Sequence, residues 1–309
     1  MTITPQPATP MMPVADFIEH VFLPQCSTRL RASTTYGYTR LFHEHKEFLP
    51  AVSVEAFRTV HGEEMLQRIH TAKGLGRNSL HNIQSFFSGV FKYAQRTGVV
   101  DRNPMQNTSL PRATPQAETM AYSLEEVSEM LRLVPGRGAV IVAVAAYTGL
   151  RRGELAGLQW SDYTGGMLYV RRAMWMGTSD LPKTRKSAAP VPVIKPLADR
   201  LDAWRGELFM KLGHLPLWLF GEESLDMQAV EDREIVPYLP DGVWYGWHCF
   251  RRGLATSLKK LGVDDMLIQA ILRHANVSTT RQSYIKTDRD DVRAAMEKLS
   301  SKIQQGSAP

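Results

Sequence analysis

The sequence predicts a mainly α (α+β) fold: a small helical domain, a linker, and a mostly helical domain with a small antiparallel β-sheet. Apolar residues recur at helical spacing through residues 14–98. The stretch 109–119 contains two prolines and almost no large apolar residue, which is typical of a linker. From Met167 the pattern favours strands. The length of 309 residues agrees with two domains, because single cores stop growing near roughly 250 to 300 residues.

The first domain is predicted at 13–108, behind a flexible tail at 1–12 that is rich in Pro, Thr and Met. Its predicted helices are 15–22, 34–48, 54–72 and 79–97. Gly98 is a plausible stop, and Asn103-Pro104 makes further helix unfavourable. The last helix has the clearest apolar face, formed by Leu80, Ile83, Phe86, Phe87, Val90, Phe91 and Ala94.

The second domain is predicted at 120–288 and begins with a capping box, in which Ser123 faces Glu126. Helices are expected at 124–134, 138–147 and 152–158, followed by a helix from Leu197. Two strands, 167–175 and 188–193, flank a basic turn, and 221–242 is a predicted loop. A C-terminal helix and tail occupy 289–309, and residues 290–303 have one apolar face.

Composition indicates a globular protein with a sizeable core, since 43% of residues are apolar. The net charge of +6 and the pI near 9.3 lean towards a polyanionic partner. Cys26 and Cys249 form neither a disulfide framework nor metal-ligand spacing. Residues 1–13 do not resemble a signal peptide, and the longest apolar run, 139–147, is too short to span a bilayer. We therefore expect a cytoplasmic protein.

Two pairs of polar residues stand three apart on predicted helices. Arg151 and Glu154 share a helix face and can pair, and taken alone they favour an ordinary helix junction with a surface ion pair. His248 and Arg251 are interleaved with apolar residues, so they are expected at the edge of a core. Half-buried cations without nearby carboxylates prefer an anionic ligand, but a solvated polar face is the alternative.

Three further residues are ambiguous when each is taken alone. Lys183 lies in a segment that reads as a basic hairpin, His274 ends a helix, and Tyr284 is an aromatic residue near the C-terminus. A structural histidine and a packed tyrosine are the ordinary interpretations. A phenol, with an unperturbed pKa of about 10, is a poor nucleophile unless bases and cations surround its target.

The order of these segments resembles the tyrosine recombinase (phage integrase) family, whose pattern runs Arg, Lys, His-x-x-Arg, His or Trp, Tyr. The matching segments are TGLRRGEL (148–155), PKTRKSAAPVPV (182–193), HCFRRGLAT (248–256) and ILRHANVSTTRQSY (271–284). The resemblance covers the second domain, which it identifies as the catalytic domain with a DNA breaking-rejoining fold. The first domain is similar to the family's core-binding, SAM-like domain.

The resemblance assigns a role to each matching residue. Tyr284 would attack the scissile phosphate, and Arg151 and Arg251 would clamp its non-bridging oxygens. Lys183 would protonate the departing 5′-oxygen, His248 would act in proton transfer, and His274 would hydrogen-bond the phosphate. Glu154 would orient Arg151. Because two guanidiniums can supply the charge that metal ions supply elsewhere, we expect metal-independent catalysis with no cofactor.

Two residues depart from the family pattern. Arg252 stands where histidine is frequent, and Arg273 precedes His274 where glycine is common. Neither departure removes an assigned catalytic group. The second bears on local backbone geometry, because glycine accepts conformations that arginine resists.

The family implies that double-stranded DNA is the partner, bound by a dimer at one site and a tetramer in synapsis, with DNA-bending accessory proteins in some systems. The C-terminal helix would then dock on a neighbouring protomer, with packing on its own chain as the alternative. Integration is the leading role; resolution of chromosome dimers or transposons by the same chemistry, and a non-cleaving DNA-binding regulator, are the alternatives. Candidate DNA contacts are Thr35, Thr39, Arg40, Lys73, Arg77, Asn78, His81, Lys92, Arg152, Arg185, Lys186 and Arg252.

Overall fold

The computed structural model describes residues 11–112, 119–180, 189–273 and 289–306. The chain divides into two units between Glu118 and Thr119. Each unit is mostly helical and has an apolar core of its own. Residues 1–10 of the expected tail and 113–118 of the expected linker lie outside the described residues. Within the described ranges, no helix has the length and apolar character needed to cross a lipid bilayer.

The first unit is a helical cluster around one long helix. A π-helical turn, Ile18–Phe22, joins its first two α-helices, and a short 3-10 helix, Lys46–Phe48, follows the third. The α-helices that the structure describes in this unit are α1 (Val14–Phe17), α2 (Leu23–Arg29), α3 (Ala32–His45), α4 (Thr59–Lys73) and α5 (Arg77–Arg96).

Two helix boundaries in the first unit differ from the prediction. The helix expected at 15–22 continues through the π turn to Arg29, because the wide turn accommodates Pro24, which has no N–H to donate. The helix expected from residue 54 begins only at Thr59. Before it, the Val54 N–H donates to the Met12 carbonyl and the Val14 N–H donates to the Val52 carbonyl, and residues 54–56 form a turn that the bond from Phe57 N–H to the Ser53 carbonyl closes.

Helix α5 forms the centre of the first core, and its apolar face agrees with the prediction from periodicity. The residues expected to point inward are all buried there: Leu80, Ile83, Phe86, Phe87, Val90, Phe91 and Ala94. Phe57 packs on this face with its ring centroid 4.6 Å from that of Phe91. A period of 3.6 residues was therefore sufficient to identify the core side of this helix.

The second unit surrounds helix α7, which is buried from Gly138 to Thr148. Helices α6, α9 and α11 pack against it. The predicted capping box is confirmed, because Ser123 Oγ accepts from the Glu126 N–H at 3.1 Å. The helices described here are α6 (Leu124–Leu133), α7 (Gly136–Thr148), α8 (Arg152–Ala156), α9 (Lys195–Leu212), α10 (Met227–Val230), α11 (Trp247–Lys260), α12 (Asp265–Ile271) and α13 (Arg289–Gly306).

The β-structure consists of two small antiparallel sheets rather than the expected pair of strands. One sheet has the order β1-β2-β5, and the other is the hairpin β3-β4. The predicted strand 167–175 is split, because Arg172 turns towards the buried carboxylate of Asp162 at 2.6 Å and to the Gly157 carbonyl at 2.9 Å. The strands are β1 (Tyr163–Thr164), β2 (Met167–Leu168), β3 (Ala173–Trp175), β4 (Thr178–Asp180) and β5 (Val191–Pro192).

The segment 221–242 is not the plain loop that its sequence suggests. It contains α10, then a π-helical turn, Glu231–Ile235, and a 3-10 helix, Val236–Tyr238. Asp226 explains the start of α10, because its carboxylate accepts from the main-chain N–H groups of Gln228 and Ala229.

Helix α13 packs on the core of its own chain. Ala295, Met296 and Leu299 are buried, while Val292 and Ile303 pack against the same cluster from the edge. The predicted apolar face is therefore confirmed, and in the single chain it is covered by residues of the second unit.

Candidate active site

The turn between α7 and α8 places the first candidate residue, Arg151. Helix α7 ends at Gly149, whose φ of +61° is one that glycine adopts readily. A Cβ at Gly149 would also lie 2.8 Å from Leu272 Cδ2 and 3.2 Å from Leu254 Cδ2. The chain then places Arg151 at the N-cap of α8. Glycine thus permits both the reversal and the close approach of the two leucines.

Glu154 holds Arg151 at two points. Arg151 Nη1 donates to Glu154 Oε1 at 2.8 Å, and the Arg151 main-chain N–H donates to Oε2 at 3.0 Å. The Glu154 side chain is 4% exposed, whereas that of Arg151 is 38% exposed. The predicted pairing is confirmed, and it is more than a surface ion pair because the carboxylate is buried.

Arg251 lies on α11 and is buried beside this turn. Its Nη1 donates to the main-chain oxygen of Gly149 at 2.7 Å, and its Nη2 donates to that of Leu272. Burial, and then the positive charges of Arg151 and Arg273, lower the pKa of Arg251 to about 9. The guanidinium is still cationic at neutral pH, and a bound anion would relieve the repulsion from its neighbours.

His248 precedes Arg251 by one helical turn and lies on the exposed side of α11. Partial removal of its ring from water lowers the pKa of His248, and the charges of Arg252, Arg251 and Arg151 lower it further. The imidazole is therefore neutral at pH 7, so one ring nitrogen can accept a proton while the other donates a hydrogen bond.

Arg273 joins this group, although its sequence position marks it only as a departure from the family pattern. It follows α12 with a φ of +55°, so the arginine does occupy a conformation that glycine would adopt more easily. Its side chain is fully buried, and its Nη2 donates to Glu154 Oε2 at 2.9 Å. The only sequence signal for this role was a basic residue next to His274.

The described part of the site carries a surplus of positive charge. Arg151, Arg251 and Arg273 contribute three charges and Glu154 removes one, which leaves a formal surplus of two (3 − 1 = 2). Fixed guanidiniums with planar donor groups suit the oxygens of a phosphate. Chemically, the arrangement can bind an oxyanion and stabilise charge that develops on it.

The chain is similar to known recombinases and integrases. No protein-family model matches the chain. The ICEBs1 integrase of Bacillus subtilis (strain 168) is 27% identical over 229 residues, which cover 68% of this chain and 62% of that relative, less than two thirds of its length. The tyrosine recombinase XerC of Bacillus pumilus (strain SAFR-032) is 25% identical over 299 residues, or 90% of this chain and 92% of the relative. Over most of its length the chain is similar to tyrosine recombinases.

Solved structures of integrases share the fold of this chain. The Tn1549 transposon integrase in complex with transposon right-end DNA covers 94% of the chain with a TM-score of 0.67 and 18% identity. A lambda integrase dimer bound to a COC′ core site covers 90% with a TM-score of 0.62 and 20% identity. Each match extends over 100% of the solved chain. The DNA breaking-rejoining fold expected from the sequence is therefore confirmed.

Half of the six predicted catalytic residues are described by the structure. Arg151, His248 and Arg251 come together at the ends of α7 and α12 and along α11, with Glu154 as the supporting carboxylate. The other predicted site residues lie outside the described residues: Lys183, Arg185, Lys186, His274 and Tyr284.

The candidate DNA contacts of the first unit are mostly exposed. Arg40, Lys73, Arg77, Asn78, His81 and Lys92 are exposed, and Thr39 is half-buried. The hydroxyl of Thr35 is buried, so this oxygen does not face a ligand in the described conformation. Exposure allows the other residues to contact DNA but does not distinguish contacts from a solvated surface.

Two arginines of the second unit that were candidate DNA contacts have protein partners. Arg152 is exposed, and its Nη2 donates to Gln228 Oε1 at 3.4 Å. Arg252 Nη1 donates to the main-chain oxygen of Met120 at 3.3 Å, so it links α11 to the segment before α6.

Among residues 11–112, 119–180, 189–273 and 289–306, no three His, Cys, Asp or Glu side chains form a cluster that could hold a metal ion.

Proposed function

We propose that the chain is a site-specific DNA recombinase, an integrase that cuts and rejoins DNA through a 3′-phosphotyrosyl intermediate. The catalytic residues would be Arg151, Lys183, His248, Arg251, His274 and the nucleophile Tyr284, with Glu154 in support. Residues 120–288 would form the catalytic domain, and residues 13–108 would bind the DNA core site.

One observation carries the proposal. The hydrogen bond from Arg251 to the Gly149 carbonyl brings an arginine of α11 to within two residues of Arg151, on the turn before α8. The two guanidiniums come from distant parts of the sequence, and a single buried carboxylate, Glu154, balances them only in part. A site with this surplus of fixed charge favours a phosphate over a neutral ligand.

In the proposed first step, the phenol oxygen of Tyr284 attacks the phosphorus of the scissile diester. A bond forms from phosphorus to the tyrosine oxygen, and the bond to the 5′-oxygen breaks. His248, neutral at pH 7, would accept the phenol proton, and Lys183 would donate a proton to the departing 5′-oxygen. Arg151 and Arg251 would stabilise the charge on the non-bridging oxygens, so the chemistry needs no metal ion.

The second step reverses the first with a different DNA strand. A free 5′-hydroxyl attacks the phosphotyrosyl phosphorus, the tyrosine leaves, and a phosphodiester forms. Because the number and type of phosphoester bonds are unchanged, no ATP is needed. We propose integration as the reaction, with chromosome-dimer or transposon resolution as the alternative use of the same steps; one relative is an integrase and the other is named XerC.

Double-stranded DNA is the proposed partner, in the cytoplasm. The lambda integrase structure is a dimer on its core site, and another is a tetramer bound to a Holliday junction. We propose the same stoichiometries here, with accessory DNA-bending proteins where a site requires them. Docking of α13 on a neighbouring protomer belongs to the same proposal, and it requires the helix to leave the core that covers it here.

The proposal is tested with a library of nicked duplexes of randomised sequence in buffer that contains EDTA. Cleavage beside a nick releases a short fragment, so the covalent complex cannot religate and accumulates. Protein is then denatured, washed and digested, and the attached DNA is sequenced. The wild-type chain should retain DNA of a shared sequence with a blocked 3′ end.

Tyr284→Phe is the matched control, because it removes only the nucleophilic oxygen. It should bind the enriched sequence but retain none after denaturation. Covalent attachment by Tyr284→Phe, or sequence-specific binding without attachment by the wild type, would contradict the proposal; the second result would indicate a DNA-binding regulator.

A further inference from the structure

Arg273 combines two unfavourable features in one residue. Its φ of +55° lies in the left-handed region, which is unfavourable for a residue with a Cβ. Its guanidinium is also removed from water, and desolvation lowers the pKa of Arg273 from its ordinary value. Strained and desolvated residues persist where the surrounding structure fixes them, and they cluster at functional sites.

The contact that compensates for these costs is with Glu154. Arg273 Nη2 donates to Glu154 Oε2 at 2.9 Å, and the same oxygen accepts from the Arg151 main-chain N–H at 3.0 Å. The other oxygen, Oε1, binds Arg151 Nη1 at 2.8 Å. Both carboxylate oxygens are therefore engaged, which opposes rotation of the carboxylate and sets the direction of the Arg151 guanidinium.

Arg273 reaches Glu154 across 119 residues of sequence. The same two segments are joined a second time by Arg251, which donates to the carbonyls of Gly149 and Leu272. The end of α12 and the turn before α8 are thus held together from two sides. A change at residue 273 would therefore reach Arg151, because both residues bind the carboxylate of Glu154.

We propose that Arg273 is a positioning residue of the site, which holds Glu154, and through it Arg151, in the orientation that binds a phosphate group. The inference rests on the proposed function for the identity of the diester. The effect of Arg273 on an oxyanion-binding arginine can be measured without DNA, as the affinity for phosphate. The positive charge of Arg273 also brings the local surplus to two, which matches the dianionic transition state of attack on a singly charged diester.

The test uses the full chain and inorganic phosphate as the probe. Apparent dissociation constants for phosphate are measured from its effect on thermal unfolding, followed by tryptophan fluorescence. Arg273→Gly removes the guanidinium and accepts the left-handed backbone. We expect its phosphate binding to be about tenfold to a hundredfold weaker, the range for loss of hydrogen bonds to a charged group. Arg273→Lys keeps the charge but not the planar donors, so its binding should be intermediate.

A purely structural role is separated from positioning by chemical rescue. Guanidinium chloride at low millimolar concentration should restore phosphate binding to Arg273→Gly, whereas sodium chloride should not. Arg132→Gln is the matched control, since Arg132 pairs with Glu129 on the exposed face of α6. It should bind phosphate as the wild type does.

Unchanged phosphate affinity in Arg273→Gly and Arg273→Lys, or a loss that guanidinium does not restore, would overturn the inference. So would a wild-type chain that does not bind phosphate. The covalent DNA assay on the wild type is scored separately. Absence of the adduct counts against the recombinase proposal, while the phosphate series still decides the role of Arg273.

Discussion

Arg251 donates a hydrogen bond of 2.7 Å to the main-chain oxygen of Gly149, 102 residues earlier in the sequence. This contact fixes the turn that presents Arg151, because Gly149 and Arg151 are separated by a single residue. The position of one arginine of the site therefore depends on the side chain of the other. A change at Gly149 should disturb both.

Gly149→Ala is expected to destabilise the second unit by about 2 to 4 kcal/mol, since it combines a left-handed φ with overpacking against Leu272. All six tryptophans lie after residue 119, so urea unfolding followed by tryptophan fluorescence reports on this unit. Gly213→Ala is the control: its φ is +75°, and a Cβ there would meet nothing within 4 Å. Gly213→Ala should lower the free energy of unfolding by only about 1 kcal/mol. If both variants lose the same free energy of unfolding, overpacking against Leu272 does not contribute to the effect of Gly149→Ala.

Glu154→Gln should destabilise the same unit by about 3 kcal/mol, because it leaves the buried guanidinium of Arg273 without its carboxylate. The measurement is again urea unfolding at pH 7. Glu129→Gln removes the carboxylate of an exposed pair and should leave the unfolding midpoint unchanged. If Glu154→Gln leaves the free energy of unfolding unchanged, Arg273 must find another hydrogen-bond acceptor.

His248 should titrate below its ordinary pKa of 6.5 in the free chain. Since the folded state disfavours the charged imidazole, the unfolded state binds more protons as pH falls below about 6.5, and stability is lost in that window. At higher pH both states are neutral, and the residue has no effect. His248→Asn should therefore lose less stability between pH 7 and pH 5 than the wild type.

The same titration, followed by NMR of the His248 ring proton, should move to higher pH when inorganic phosphate is added, because a bound anion stabilises the imidazolium. Sodium chloride at matched ionic strength controls for screening. A free-chain pKa above 6.5 would be inconsistent with the surrounding arginines.

Gly253→Ala is expected to prevent folding of the second unit. A Cβ at Gly253 would lie 2.1 Å from the main-chain oxygen of Tyr122, so α11 could not stay where it places His248 and Arg251. Gly206 is exposed in the middle of α9, and a Cβ there would meet nothing within 4 Å. Gly206→Ala should therefore raise the free energy of unfolding by about 0.5 to 1 kcal/mol. Circular dichroism and tryptophan emission compare the two. A folded Gly253→Ala would show that α11 can shift.

The parts of this fold that were predictable are those with a local cause. The buried face of α5 follows from its period, and the start of α6 follows from Ser123 and Glu126. The split of the strand at Arg172 instead depends on side-chain contacts to Asp162 and Gly157, ten and fifteen residues earlier, which strand periodicity does not reveal. The same holds at the site: Arg151 and Glu154 could be paired by spacing, whereas the Arg273–Glu154 contact spans 119 residues.

Helix α13 can cover only one core at a time, and in the single chain it covers its own. If each copy donates this helix to a neighbour, the core that it leaves is exposed unless another copy's helix fills it. In a closed ring of copies, each surface that α13 leaves is covered by the α13 of another copy, so the same apolar area is buried as in the single chain. In an open row, the copy at one end has no α13 to cover this surface. Buried residues such as Met296 and Leu299 would then make incomplete assemblies costly and favour closed, cyclic ones.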